Sequence, residues 1–336
     1  MKIDSSLSGP LEEIPQLARE KEAMGYSGVR TSETGHNPFL PLLLAAEHTS
    51  TLELCTSIAV AFARSPMTLA SEANDLQWFS KGRFTLGLGS QVRAHIERRF
   101  SMPWSHPAPR MRELVLALRA IWGCWDTGSK LQFEGDFYTH TLMTPFFDPG
   151  PNPWGTPRVV VAAVGSKMAE VAGEVGDGML VHGFTTERYL RDVTLPAVST
   201  GLDRAGRCRS DFELFYPAFV VTGRTDEEMA AAAAAVRERI AFYGSTPDYL
   251  AVLALSGWED LHFELNAMAK RGEWAEMGNR IDDEVLDAFA VVGRPGDIVP
   301  ALRRRFGGVI DRLSFYSPYL SDPTIWTELL EEFKTT

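Results

Sequence analysis

Short apolar runs alternate along the chain with longer amphipathic stretches, and the alternation recurs eight times. Its clearest instance spans residues 52–91. Residues 58–63 are an unbroken apolar run, too short for a helix and lacking the polar alternation of a solvent-facing strand, so they predict a strand buried on both faces. Ser65 and Pro66 then supply an N-cap and a proline at the first helical position. Leu69, Ala73, Leu76 and Phe79 recur at helical spacing, and Lys81-Gly82 offers the cation and the left-handed residue that end a helix. Residues 83–88 are the next strand. Two doubly buried strands joined through a helix imply a parallel sheet covered by helices. Such sheets bind ligands at their carboxyl ends, which the pattern places at Ala63-Arg64-Ser65 and at residues 87–91.

The same rhythm predicts strands at 1–7, 27–33, 158–164, 178–181, 212–221 and 311–316. Helices are expected at 11–24, 40–49, 109–125, 166–175, 185–205, 225–242, 295–306 and 323–333, with an all-helical insertion over 247–289. Residues 126–157 break the pattern: FEGDFY suggests a small β excursion, and TPFFDPGPNPWGTP a proline-rich connection that serves as a lid or as a sheath over a neighbour. Eight strands alternating with helices make a (β/α)8 barrel with a helical insertion after strand seven. With no internal repeat and no linker composition, residues 1–336 are expected to form one domain.

Composition narrows the chemistry. A net charge of −11 argues against non-specific nucleic-acid binding, which needs a basic footprint, so an anionic ligand requires a local cluster of donors. Cys55, Cys124 and Cys208 are too few and too widely spaced for a disulfide framework or a structural zinc site. No signal-peptide core and no membrane-length apolar stretch is visible, so a cytoplasmic protein without membrane or nucleic-acid partners is expected. There is no HExxH, GxSxG, P-loop or strand-end His-x-His, and no metal is expected. Gly87-Leu88-Gly89 begins like a dinucleotide fingerprint, but Val92 stands at the third glycine position; relief of crowding at a barrel mouth is the competing explanation.

These residues carry a family resemblance. TSIAVAFARSPMTLASEANDLQWFSKGRFTLGLGSQ, VVVAAVGSKMAEVAGEVGDGMLV and VVGRPGDIVPALRRRFGGVIDRLSFY resemble the third-to-fourth strand segment, the fifth strand with its phosphate loop, and the C-terminal part of the bacterial luciferase-like superfamily. TSETGHNPFLPLLLAAEHT looks like the branch that uses the deazaflavin coenzyme F-420. The resemblance implies a deazaflavin-dependent oxidoreductase that passes a hydride to or from a small organic substrate. The alternatives are a reduced-FMN monooxygenase on the same barrel and a non-catalytic flavin-binding barrel. Superfamily members commonly pair, and helices 40–49 and 66–80 are either the interface of such a homodimer or ordinary outer barrel helices.

Residue by residue, the resemblance places the cofactor ring against a non-proline cis peptide at Ser57-Ile58 and near Gly89 and Gln91. It places the cofactor phosphate at Gly165, Ser166 and Lys167, where glycine and free helix-start amides suit an anion. Glu33 falls where deazaflavin enzymes keep an acidic residue near the ring, while Thr34 stands where some keep a catalytic histidine. His36, two positions on, is the imidazole a shifted loop could bring in, and simple solvation is the competing account. Thr34, His95 and His182 are assigned to the mouth of the pocket. Arg93, Arg98 and Arg99 form a basic cluster that could meet an acidic cofactor tail or simply pair with Glu97, and Trp104, Trp154, Trp258 and Trp274 read as packing or sheath residues.

Overall fold

The computed structural model describes residues 1–335. Eight parallel strands close into a barrel: β1 (Lys2–Ser6), β2 (Gly28–Thr31), β3 (Glu53–Thr56), β4 (Phe84–Gly89), β5 (Arg158–Ala163), β6 (Gly178–Val181), β7 (Glu213–Val221) and β8 (Arg312–Tyr316). Each pairs with the next, and β8 pairs back with β1 through Lys2↔Arg312 and Ile3↔Leu313. This is the (β/α)8 architecture expected from the alternation, including the helices between β7 and β8.

Inside the barrel, charge fills the lower half. Arg312 on β8 holds both oxygens of Asp4 on β1, with Nε and Nη2 at 2.9 and 2.6 Å, and its Nη1 reaches Glu53 on β3. Above lies a small apolar layer of Cys55, Val160, Leu180 and Phe215. The outer faces of the strands pack on the helices in a large continuous core, and the insertion forms a second apolar cluster around Phe184, Phe219 and Phe289.

Three expectations are corrected. The third barrel strand is Glu53–Thr56, not 58–63. Within that apolar run only Ala59–Val60 is extended, pairing with the end of β4, and Ala61–Ala63 winds into a single 3-10 turn. The run is apolar because neighbouring chain covers it: Phe62 lies under the Arg110 guanidinium at 4.6 Å and meets the edge of Trp104. The carboxyl end of β3 is therefore Thr56-Ser57 rather than 63–65. The helix expected over 185–205 is broken into Glu187–Tyr189, a wide π turn at Leu190–Thr194 and Leu195–Arg204. Pro196 has no N–H to give the carbonyl four residues back, so the regular ladder cannot run through.

The helix at 66–79 starts and stops as its sequence predicts. Ser65 Oγ accepts the Thr68 N–H, and Lys81 and Gly82 both adopt left-handed φ, 57° and 85°. Arg83 then fastens the sheet to the preceding loops, donating to the carbonyls of Ala46, Thr49, Leu52 and Ser80. Residues 126–157 are a sheath and not a lid: Asn152 bonds Asn74, Trp154 lies against Gly82, and Glu113 accepts three backbone N–H groups from residues 136–138. Among the described residues no helix is long and apolar enough to cross a membrane.

Gly87 sits where β4 passes closest to β3, and a Cβ there would lie 1.8 Å from the Thr56 carbonyl oxygen. Backbone cannot yield as a side-chain tip can, so Gly87→Ala is expected to destabilise the fold by about 3 kcal/mol or more, read as a lowered midpoint in urea denaturation.

Candidate active site

A cavity of about 720 Å³ opens at the carboxyl ends of the strands. This lies within the common range for small-molecule sites. One wall comes from the ends of β2, β3 and β4, with Glu33, Ser57, Ile58, Gly89 and Gln91. The Ser57-Ile58 peptide is cis, at the position the resemblance implied. Gly89 is required beside it, since a Cβ there would come within 2.5 Å of Ile58 Cδ1. Gln91 turns the chain away in a left-handed conformation, φ 59°, with its Oε1 accepting the Val92 N–H.

Glu33 borders this wall with both carboxylate oxygens occupied. Oε2 accepts the Val60 N–H and an Arg64 N–H, each at 2.7 Å, and Oε1 accepts a second Arg64 N–H at 3.0 Å. The carboxylate ties β2 to the segment after the cis peptide. Thr34 also borders the cavity, its carbonyl bonded by Arg99, which in turn lies over the Phe100 ring at 4.9 Å.

The facing wall is aromatic and hydroxylic. His182 at the end of β6 stacks on Tyr249, centroids 4.8 Å apart at 28°, and meets Tyr243 edge-on. Its Nδ1 accepts the Phe184 N–H at 3.0 Å. Burial pushes the imidazole down to about 4, so at neutral pH the ring is uncharged and the remaining proton is assigned to Nε2, 3.3 Å from the Tyr249 hydroxyl. The Tyr249 oxygen accepts that proton's bond and its own O–H is free to point into the cavity. Tyr243 and Tyr316 hydroxyls pair at 3.0 Å. Burial raises Tyr249 to about 12 and raises Tyr316 as well, which keeps these phenols protonated.

A third feature lies at the end of β5. Gly165 precedes the helix Ser166–Val175, whose first N–H groups have no acceptor within the helix, and a Cβ at Gly165 would meet nothing within 4 Å. Gly165 and Met168 line the cavity, while Ser166 and Lys167 are exposed beside it.

Of the residues singled out in the sequence, the structure gathers Glu33, Thr34, Ser57, Ile58, Gly89, Gln91, Gly165 and His182 around one cavity. His36 and His95 are exposed and lie outside its lining. Asn37 Oδ1 accepts the Phe39 N–H and Arg99 pins the Thr34 carbonyl, so the loop between them turns outward and carries His36 away. His95 is on the outer side of the short helix Arg93–Arg98, which buries only Ile96. Arg93 pairs with Glu97 at 2.9 Å. Trp104, assigned to packing, both packs on Phe62 and lines the cavity. Sequence reasoning missed Arg30, Tyr243, Tyr249 and Tyr316. A lone arginine within the buried strand SGVRT and a tyrosine closing the last strand were readable signals; nothing local marks Tyr243 and Tyr249.

A closed parallel barrel with a deep cavity ringed by strand ends and neutral proton donors defines a small-molecule enzyme of the (β/α)8 class. Residues 2–312 match the luciferase-like monooxygenase family model, and the chain belongs to that family as an oxidoreductase. It is 56% identical over 313 residues to an uncharacterised protein of Mycobacterium tuberculosis, covering 93% of this chain and 92% of that one. It is 27% identical over 293 residues to a 5,10-methylenetetrahydromethanopterin reductase of Archaeoglobus fulgidus, covering 86% and 83%. Its fold is shared with the coenzyme F-420-dependent tetrahydromethanopterin reductase of Methanopyrus kandleri, TM-score 0.78 at 19% identity over 98% of this chain and 96% of that one.

Two predictions follow from the walls. Glu33→Ala takes from the largely buried Arg64 its two short carboxylate bonds, leaving Glu72 at 3.5 Å, and frees the Val60 N–H, so a loss of about 2 kcal/mol is expected in chemical denaturation. For His182, the folded value near 4 lies below the ordinary 6.5. Above 6.5 both folded and unfolded chains carry a neutral ring; below it only the unfolded chain gains the proton, and stability falls until about pH 4. Between pH 7 and pH 5 the wild type should lose about 2 kcal/mol more than His182→Phe, measured by urea denaturation at both pH values.

Proposed function

We propose that this chain is a coenzyme F-420-dependent oxidoreductase that moves a hydride between the deazaflavin and a small organic substrate. The observation that carries the proposal is the opposition of two walls across one cavity: an apolar ledge at Ser57, Ile58 and Gly89, and a bank of neutral donors at His182, Tyr243 and Tyr249. The names of the Archaeoglobus and Methanopyrus relatives support the choice of reaction and cofactor. The residues fit the group. Side-chain-free space at Gly165 and the amides that open the following helix suit an anionic tail, with Ser166 and Lys167 flanking it.

A bound deazaflavin supplies a hydride donor or acceptor at its C5 carbon. The chain supplies position and a proton. The ledge presents a flat apolar surface, and the sheath and insertion keep bulk water from the barrel sides. Tyr249 donates its O–H to a substrate oxygen as charge develops there, or receives the proton in the reverse direction. His182, neutral and bonded through Nδ1 to the Phe184 N–H, holds the phenol in place. Glu33, expected near the ring as a catalytic acidic residue, acts as a positioning residue through Arg64 and Val60, and His36, outside the cavity lining, has no catalytic role.

Side-by-side calorimetric titration with F-420 and FMN tests the cofactor. Preference for F-420 is expected; preference for FMN would move the chain to the oxygen-using chemistry of the family, and binding of neither would overturn the site. Gly165→Trp should abolish F-420 binding while circular dichroism shows an intact fold. Tyr249→Phe should lower kcat by about 100-fold with the cofactor Kd unchanged; full cofactor binding without any turnover in the wild type would identify a non-catalytic barrel.

A further inference from the structure

Arg30 sits in the middle of β2 with its side chain inside the barrel, 7% exposed, at the floor of the cavity. Nothing in the proposed reaction uses it. Its Nε and Nη2 are buried and have no hydrogen-bond acceptor. Asp4 is the nearest carboxylate, 3.3 Å from Nε, but both Asp4 oxygens are already held by Arg312 at shorter range. Glu53 is shared between Arg312 and Lys2. Lys2 is half exposed, so the buried charges are the guanidiniums of Arg30 and Arg312 with Asp4 and Glu53; Arg312 takes the short bonds to both carboxylates, and the residue left with unused donors is the one that borders the cavity. The neighbouring Arg158–Glu213 pair is neutral by itself. Cys55, beside Arg30 in the β2–β3 register, is held as a neutral thiol, pushed up to about 12 by burial. The remaining neighbour is the Phe215 ring, 5.6 Å from the guanidinium carbon.

A buried guanidinium with unused donors is expensive unless something electron-rich meets it. Arginine does not give up its proton to escape that cost. Two hydroxyls stand close by: Ser6 is paired with Arg30 in the β1–β2 register, and Ser314 borders the same cavity. We infer that the cavity floor is an oxyanion subsite, with Arg30 as its charged donor and Ser6 and Ser314 beside it, for a ligand that carries a carboxylate or enolate oxygen to the bottom of the barrel. The charged oxygen belongs either to the substrate or to the reduced ring of the cofactor. The second source rests on the proposed F-420 dependence; the subsite itself does not.

Benzoate and benzamide, nearly equal in shape and different in charge, test the subsite without cofactor. Calorimetry on the wild-type protein should show benzoate bound at least about ten-fold tighter than benzamide, a difference of about 1.4 kcal/mol. Arg30→Met should erase that preference and Arg30→Lys should keep part of it. Arg30→Met leaves Asp4 with its two bonds to Arg312, so the barrel seam is retained, and circular dichroism and the urea midpoint verify it. No charge preference in the wild type, or one that survives in folded Arg30→Met, overturns the subsite. Titration with oxidised and reduced F-420 then assigns the source. A selective loss of reduced-form affinity in Arg30→Met supports the subsite with the cofactor's own charge in it; unchanged affinity for both forms, with the benzoate preference lost, supports it with a substrate oxyanion. Failure of the wild type to bind F-420 counts against the proposed function and leaves the benzoate comparison readable.

Discussion

Asp4 and Arg312 lie 308 positions apart, and the bidentate bond between them closes the barrel. A parallel sheet can curl into a barrel only when its first and last strands meet, and in this chain the backbone pairing of β8 with β1 is clasped by a buried pair of full charges. Such a pair is costly to take from water, and its geometry leaves little freedom in the register of β8 on β1. The rest of the interior follows. Glu53 completes the coordination of Arg312, an apolar layer of four side chains sits above, and the strand ends are left to line an open cavity.

The second organising tie is the Glu33 carboxylate. It joins the end of β2 to Arg64 and to Val60, and so fixes the short segment between β3 and the following helix. The ledge at Ser57 and Ile58 stands where it does because chain on both sides of it is anchored. The same bonds occupy both oxygens of that carboxylate.

The barrel was legible because its signals are local. A capped helix between buried runs, a glycine stop and the eight-fold alternation each depend on a few neighbouring residues, and together they admit few architectures. The cis peptide and the glycine at the end of β5 were legible through family resemblance. What failed were positions whose environment is made by distant chain. The apolar run at 58–63 looked like a strand because apolar residues announce burial, not the element that buries them. His36 looked catalytic because sequence gives the distance of a loop residue from a strand and not the direction in which the loop leaves it. Tyr243 and Tyr249 carry no local mark at all; they become part of the cavity wall only when the end of the helix after β7 and the start of the insertion fold back over the strand ends.

That last feature divides the site between two stretches of chain with separate packing. The ledge belongs to β2–β4 and packs in the main core, whereas Tyr243, at the end of the helix after β7, and Tyr249, at the start of the insertion, pack in the second apolar cluster. Changes in one cluster need not propagate to the other. Mutations in one stretch can therefore reshape its wall of the cavity while the opposite wall stays as it is, so the two faces of the cavity are free to change separately.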